Sequence, residues 1–410
     1  MYSTSHWELL LSNQVDKKKF IDALFSGNDI PEMAAFSNLN GILFSDLAIE
    51  AFIEKEFQYD IVASPTSNRK LRTFSSGERK KEFLKYCIHQ KPDYIIFDNP
   101  LDHLDQASRL LIAQEIENLS KEITVIQLVN RKNDLFPFIT NSAEVKDNTF
   151  QFFPIEAHQT HTKDIQKKSL PFPAENQGFE GETLIELKNV SVSYEDRKII
   201  NDISWTITKG DFWQLIGPNG SGKSTILSLI TGDNPKGYGQ ELYLFGRKKG
   251  SGESVWDIKK NIGYFSTAMM DLFQKSHTFE QMILSGFFDS IGLYTQPTTH
   301  QKLMVNQWLE VIEMSHLRNK IFTQLSLGQQ RVALIIRAVL KHPPLLILDE
   351  PVEGLDDENT AMVIQLINLL VDESKMAIVY VSHRIEPDLH PKAIFELCPS
   401  EHGSVGKIKK

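Results

Sequence analysis

Only two cysteines, Cys87 and Cys398, occur in the 410 residues, too few for a disulfide framework and in keeping with a reducing compartment. Either thiol can simply fill core space. No apolar run reaches the roughly eighteen residues that a membrane-spanning helix needs, because Asp, Gln or Asn break the longest stretches. The N-terminus also lacks the basic-then-apolar segment of an export signal, so the expected location is cytoplasmic. Basic residues are in deficit: 44 Lys and Arg face 53 Asp and Glu, a net charge of −9. That balance argues against a large sequence-independent nucleic-acid footprint, which needs clustered Lys and Arg. What the chain does have is ordinary, with 41% hydrophobic and 24% charged residues, the composition of a globular protein. Its length exceeds what one hydrophobic core carries, so two domains of about 150 to 200 residues are expected.

One stretch stands out from this background. GPNGSGKST, Gly217 to Thr225, fits the pattern G-x-x-x-x-G-K-[ST], with the apolar run FWQLI before it and ILSLI after it. Strand, glycine-rich loop and helix are the context that pattern requires. The glycines let successive backbone N–H groups point inward at phosphate oxygens, and the helix adds its positive N-terminal end. Gly217, Pro218, Asn219, Gly220, Ser221 and Gly222 are therefore the expected ATP cradle. Lys223 would reach the β- and γ-phosphates, the Ser224 hydroxyl would ligate Mg²⁺, and Thr225 would lie at the phosphate end of the helix.

A second block, QLSLGQQRVALIIRAVLKHPPLLILDEPVEGLD, runs from Gln324 to Asp356. LLILDE reads as a buried strand ending in two carboxylates. Asp349 is placed to hold Mg²⁺ through water, and Glu350 to orient and activate a hydrolytic water. Taken with LSLGQ, this block resembles the nucleotide-binding domain of the ABC (ATP-binding cassette) superfamily, whose signature is LSGGQ; Leu327 here replaces one glycine. GLDDEN resembles that family's D-loop at Asp356, IVYVSHR its switch histidine at His383, and VSVSYEDRKI puts Tyr194 where members stack an aromatic ring on adenine. The resemblance covers Leu184 to about Gly406. One departure is the glutamine that members carry after the strand NIGYF, replaced here by Ser266 or Thr267. The resemblance thus implies ATP and Mg²⁺ as ligands but puts conventional coupling to a membrane partner in doubt.

The N-terminal half repeats this block in worn form. FSSGERKKEFLKYCIHQKPDYIIFDNPLDHLD, Phe74 to Asp105, aligns without a gap to Leu325 to Asp356 at an offset of 251. Ser75, Gly77, Asp98 and Asp105 match their counterparts, whereas Asn99 replaces Glu350 and Asn130 falls near the place of His383. An amide can hold a water but cannot take its proton at neutral pH, so this copy should not hydrolyse ATP. WELLLSNQVDKKKFIDALFSG, Trp7 to Gly27, is the worn phosphate loop, with Lys18 set against Lys223 by a one-residue shift and Lys17 to Lys19 read as a solvated helix start. The middle subdomain, early strands and adenine-stacking aromatic are expected to be reduced or absent in this copy. The expected fold is α/β, two tandem P-loop NTPase domains of the ABC type with the first truncated and degenerate. The expected boundaries are 1–152 and 183–410, with a linker at 153–182 whose Pro, Gln, His and charged residues would not build a core.

ABC cassettes close head to tail, each ATP lying between one phosphate loop and the other cassette's signature. The resemblance therefore implies one complete site, with Tyr194, Lys223, Ser224, Asp349, Glu350 and His383 facing Ser75 and Gly77. Ser326 and Gly328 would face the failed loop and go unused; the alternative is that two chains pair through their second cassettes. A tandem pair without membrane segments is similar to the molybdate-transport-associated and photorepair-type ABC ATPases. That likeness implies an energising ATPase with a separate membrane permease, peripheral to the inner face of the cell membrane. The competing readings are a soluble mechanochemical ATPase similar to the ABC-F translation factors, and a nucleotide-gated switch.

Overall fold

The computed structural model describes residues 6–27, 30–59, 69–139, 141–155, 170–171, 179–195, 197–273 and 276–409. The chain packs as two compact units, Met1–His161 with Gly354–Glu358, and Thr162–Glu353 with Asn359–Lys410. Most of the expected linker, 156–169 and 172–178, lies outside the described residues. Two of its described residues are less inert than its composition suggested: Leu170 is buried, and the Phe179 ring packs against the second unit's core 5.9 Å from that of Phe245.

In the first unit a parallel sheet is built from β1 (Trp7–Leu11), β2 (Gly41–Phe44), β3 (Tyr94–Asp98), β4 (Thr124–Val129) and β5 (Asn141–Val145), in the order β2-β3-β4-β1-β5. Strands covered on both faces read as continuous apolar runs, and YIIFD of β3 is of that kind. Ile95 and Phe97 join one core layer with Phe44, Phe83 and Cys87, while Tyr94 and Ile96 join the opposite layer with Leu9, Phe20 and Ile126. The covering helices are α1 (Lys17–Ser26), α2 (Asp46–Tyr59), α3 (Ser76–His89) and α4 (Gln106–Leu119). Side chains at the helix starts satisfy N–H groups that would otherwise be orphaned: Asp16 caps α1, Ser75 and Glu78 form a reciprocal capping box on α3, and Asp105 caps α4.

The second unit holds a sheet of the same plan. Its strands β8 (Phe212–Ile216), β11 (Ile262–Ser266), β12 (Leu345–Asp349), β13 (Ala377–Val381), β14 (Ala393–Cys398) and β15 (Val405–Lys409) run in the order β11-β12-β13-β8-β14-β15. A separate antiparallel sheet is formed by β6 (Thr183–Tyr194), β7 (Arg197–Thr208), β9 (Glu241–Leu244) and β10 (Arg247–Lys248). The helices are α5 (Lys223–Ile230), α6 (Val255–Lys259), α7 (Phe279–Leu284), α8 (Thr299–Val311), α9 (Leu327–Val339) and α10 (Asp357–Glu373). Between the edge strand and the signature helix this unit carries α7 and α8, whereas the first unit carries α2; the antiparallel sheet has no counterpart among the described residues of the first unit.

Register makes the repeat quantitative. Asp98 pairs with Leu128 and Asp349 with Val381; Trp7 pairs with Ile126 and Trp213 with Val379. Positive φ recurs at matching places: Lys91 and His342, Asn99 and Glu350, His103 and Gly354. Because left-handed backbone is costly for residues other than glycine, its retention at the same turns reflects one shared framework.

Glu8, whose match in the second unit is Gln214, is a buried misfit. Gln214 donates to the Ser382 hydroxyl and the Arg384 carbonyl oxygen, whereas Glu8 is 8% exposed with a carboxylate oxygen lacking a partner among the described residues. Burial pushes its pKa up to about 7. A carboxyl group raised from its unfolded value costs nothing when both states are protonated; the cost grows as pH rises from the unfolded value of 4.5 to the folded value of about 7 and is constant above it. Glu8→Gln is therefore expected to stabilise the first unit by roughly 1–3 kcal/mol at pH 8, about 3–8 °C in melting temperature, and by almost nothing at pH 4.5. Calorimetric melting at the two pH values checks this; an equal gain at both would remove ionisation as the cause.

Candidate functional site

The glycine-rich loop of the second unit lies between β8 and α5. Gly222, the residue before the helix, has φ +98°, and a Cβ there would sit 2.6 Å from a methyl of Ile200. Only glycine suits that position. The Lys223 ammonium donates to the carbonyl oxygens of Gly217 and Pro218 at 2.7 and 3.2 Å and stands 3.5 Å from Nδ1 of His383. The Ser221 hydroxyl is buried without a partner among the described residues. A loop that brings an ammonium and an unpartnered hydroxyl to the start of a helix suits phosphate oxygens. Tyr194, at the end of β6, keeps an exposed ring while its hydroxyl accepts from Asn234 at 2.9 Å; Asn234 also donates to Ser228 on α5.

The strand β12 delivers the carboxylates. Asp349 is its last residue, and Glu350 follows in a left-handed turn with its N–H bonded to the Val381 carbonyl oxygen. Oε1 of Glu350 lies 2.5 Å from Nε2 of His383. Burial and then the neighbouring charge of Glu350 push Asp349 up to about 6, although Lys223 and His383 oppose this. Two crowded carboxyl groups that disfavour each other's charge suit a divalent cation, so the donors fit Mg²⁺ held by Asp349 and the Ser224 hydroxyl. A cavity of about 740 Å³, lined by Ser224, Tyr264 and Asp349 among others, opens at this edge. The sequence reading missed Tyr264, whose hydroxyl donates to Asp349 at 3.4 Å and whose pKa is raised by burial and by that carboxylate. Its place two residues before the end of the NIGYFS strand was the available signal, because alternate strand residues share a face. Of the residues proposed for the missing glutamine, Ser266 ends β11 opposite Asp349, its hydroxyl accepting from the Ala268 N–H.

The two signature helices begin alike and end up differently engaged. Ser326 and Gln329 make a capping box on α9, as Ser75 and Glu78 do on α3. In the second unit, however, buried Asn359 accepts from the Ser326 hydroxyl at 2.9 Å and from the Gly328 N–H at 3.2 Å through one oxygen. The residue in that place in the first unit is Ser108, whose shorter side chain lies beside Gly77. The Ser75 hydroxyl turns instead to its own cap, donating to Glu78 at 2.9 Å. Capping by Ser75 and the close approach of Ser108 to Gly77 give both residues a structural role beside any contact with nucleotide.

The worn loop corrects the reading of its lysines. With Trp7 opposite the residue that matches Trp213's partner, Lys17 rather than Lys18 occupies the place of Lys223, and no shift is needed. Each is the first residue of its helix. Nor is Lys17 a solvated helix start: its ammonium lies 2.8 Å from Asp98 and 3.3 Å from Oδ1 of Asn130. Asn99 donates to the same Asn130 oxygen at 2.7 Å, so a neutral amide pair stands where the second unit has Glu350 and His383. Asp16 takes the place of Gly222 and caps α1 with a carboxylate, which opposes an incoming phosphate. The internal ion pair fills the electrostatic role that a bound metal and nucleotide would have had.

A family model described as ABC transporter matches residues 200–353. The chain is 40% identical over 334 residues to the ABC transporter ATP-binding protein ModF of Escherichia coli (strain K12), an alignment covering 78% of this chain and 68% of that protein. It is 32% identical over 326 residues to an uncharacterized ABC transporter ATP-binding protein of Schizosaccharomyces pombe (strain 972), covering 76% of this chain and 65% of that one. The chain thus spans about two thirds of the length of these relatives. Among solved structures, RNase-L Inhibitor aligns over 98% of this chain and 85% of its own with a TM-score of 0.60 at 16% identity, a likeness of fold.

Proposed function

This chain belongs to the ABC transporter family of ATP-binding proteins, and from that membership we propose that it hydrolyses ATP at one site and serves as the energising subunit of a transport system. ATP binding and hydrolysis are properties of the family; the single site and the transport role are the proposal. The observation that carries it is the contrast between Glu350 paired with His383 at 2.5 Å in one unit and Asn99 paired with Asn130 in the other. Glu350 orients the attacking water and accepts its proton, with His383 fixing the carboxylate. Lys223 and the loop N–H groups bind the β- and γ-phosphates, and Tyr194 stacks on adenine. Ser224 and Asp349 would hold Mg²⁺, which would supply charge neutralisation at the phosphates. We further propose that the signature serving this site is Ser75 and Gly77 at the start of α3; the engagement of Ser326 and Gly328 by Asn359 fits a second signature that goes unused.

Among the described residues no helix is long and apolar enough to cross a membrane, so a transport role calls for a separate permease, and the molybdate type is the system the sequence suggests. Native membranes are expected to retain the full chain, in complex with an integral membrane protein, after a wash of moderate salt. Stable, ATP-sensitive co-sedimentation with ribosomes, with no membrane complex recovered, would instead establish the soluble mechanochemical reading.

A further inference from the structure

One buried cation reaches the turn that carries Glu350. Arg331, five residues beyond Ser326 on α9, is 7% exposed. Its Nη2 donates to the carbonyl oxygen of Glu353 at 3.2 Å, and its guanidinium lies 5.6 Å from the centroid of the Phe265 ring on β11. Its Nε and Nη1 have no hydrogen-bond partner among the described residues. Burial lowers its pKa to about 10, while the charges of Glu353 and Glu350 work in the other direction. A guanidinium so deeply placed is sensitive to the charges of that turn, and its direct contact with the turn is the hydrogen bond to the Glu353 carbonyl oxygen.

The first unit contains the control. Lys80, the matching residue, is 3% exposed and donates at 2.9 Å to the carbonyl oxygen of Asp102, the counterpart of Glu353. There the turn carries neutral Asn99, and the cation is supplied with a different carboxylate, Asp46 at the start of α2, 3.0 Å away. Cation and counter-charge thus change together with the loss of the catalytic glutamate. Glu350 also sits at φ +53°, a conformation that persists for a non-glycine residue only when its surroundings hold it. Its N–H donates to Val381 and its carbonyl oxygen accepts from the Glu353 N–H at 3.3 Å, and Glu353 in turn accepts from Arg331 through its own carbonyl oxygen.

We infer that Arg331 is a positioning residue for ATP hydrolysis, tying the signature helix α9 to the Glu350–Glu353 turn and so fixing the carboxylate that orients water. This rests on the reading of Glu350 given above. The test is a double-mutant cycle in the full chain with Arg331→Met, Arg331→Lys, Glu350→Gln and their combinations, followed by single-turnover hydrolysis, KM and binding of a fluorescent ATP analogue. Arg331→Met is expected to lower kcat about thirtyfold with KM and analogue affinity within about threefold, and Arg331→Lys to recover most of the loss. In the Glu350→Gln background Arg331→Met should cause no further loss, because it acts through the missing carboxylate. The same thirtyfold loss in that background, or affinity and kcat falling together, would make Arg331 a packing residue and overturn the inference. Should Arg331→Met fail to fold, Arg331→Lys carries the cycle, with about a fivefold loss of kcat that vanishes beside Glu350→Gln. Parent-level turnover in Glu350→Gln alone would sink the underlying reading of Glu350 instead.

Discussion

Glu350→Gln is expected to cut ATP turnover at least a hundredfold while ATP affinity stays within about threefold of the parent. The amide keeps the shape of the side chain and can still accept from Nε2 of His383, which lies 2.5 Å from Oε1. It cannot take the water's proton, and the general-base contribution so removed is about 10²–10⁴ in rate, or roughly 3–5 kcal/mol of barrier. Lys223→Ala should behave differently. Its ammonium braces the carbonyl oxygens of Gly217 and Pro218 and so brings a positive charge to the loop. Removing it weakens both the cradle and its attraction for phosphate, so affinity and turnover fall together. Phosphate-release kinetics and equilibrium binding on the two variants separate these effects. Near-parent turnover in Glu350→Gln, or unimpaired ATP binding in Lys223→Ala, would remove those residues from the roles given to them.

The P-loop fold was legible because its motifs are chemical identities at fixed spacing, and the worn copy because Phe74 to Asp105 matches Leu325 to Asp356 without a gap. Asn99 could be set against Glu350 for the same reason, whereas Asn130, outside that block, fell only near His383 until the strand pairing of Trp7 with Ile126 and of Trp213 with Val379 aligned the two. Where the chain offers equivalent residues in a row, sequence loses its resolving power. Lys17, Lys18 and Lys19 are interchangeable as letters, and only the pairing of Trp7 with Ile126 in the sheet decides that Lys17 meets Asp98. Side-chain partners from distant elements were equally hidden: Asn359 lies 33 residues from Ser326 and reads as an ordinary polar residue of α10. Phe179 is hidden by its surroundings, an aromatic within a polar stretch that nonetheless packs on Phe245. The structure also changes what a retained residue means. Ser75 and Glu78 survive as a capping box whether or not a phosphate ever approaches, so their presence tells less about nucleotide than the sequence suggested.

Ser76→Asp is expected to lower turnover at least tenfold, and Leu327→Asp to change it less than twofold. These matching positions are the first helical residues of α3 and α9, and they avoid a steric trap at the neighbouring glycines. A Cβ on Gly328 would lie 2.3 Å from Oδ1 of Asn359, so any substitution there injures the second unit whatever its signature does. At the first residue of a helix an Asp side chain opposes no backbone charge; it favours the helix by a few tenths of a kcal/mol, and folding should be preserved in both variants. A γ-phosphate bound against the helix end would feel the new carboxylate as a like charge at close range, worth on the order of 4 kcal/mol at 4 Å in a partly screened site. The loss therefore reports which signature a phosphate meets. Under the proposed single site it is α3, and melting temperatures within about 2 °C of the parent would confine the effect to nucleotide chemistry. If Leu327→Asp abolishes turnover while Ser76→Asp leaves it intact, the active site is built from second cassettes of two chains. The protein's rate would then depend on its concentration, as a single-chain site's would not.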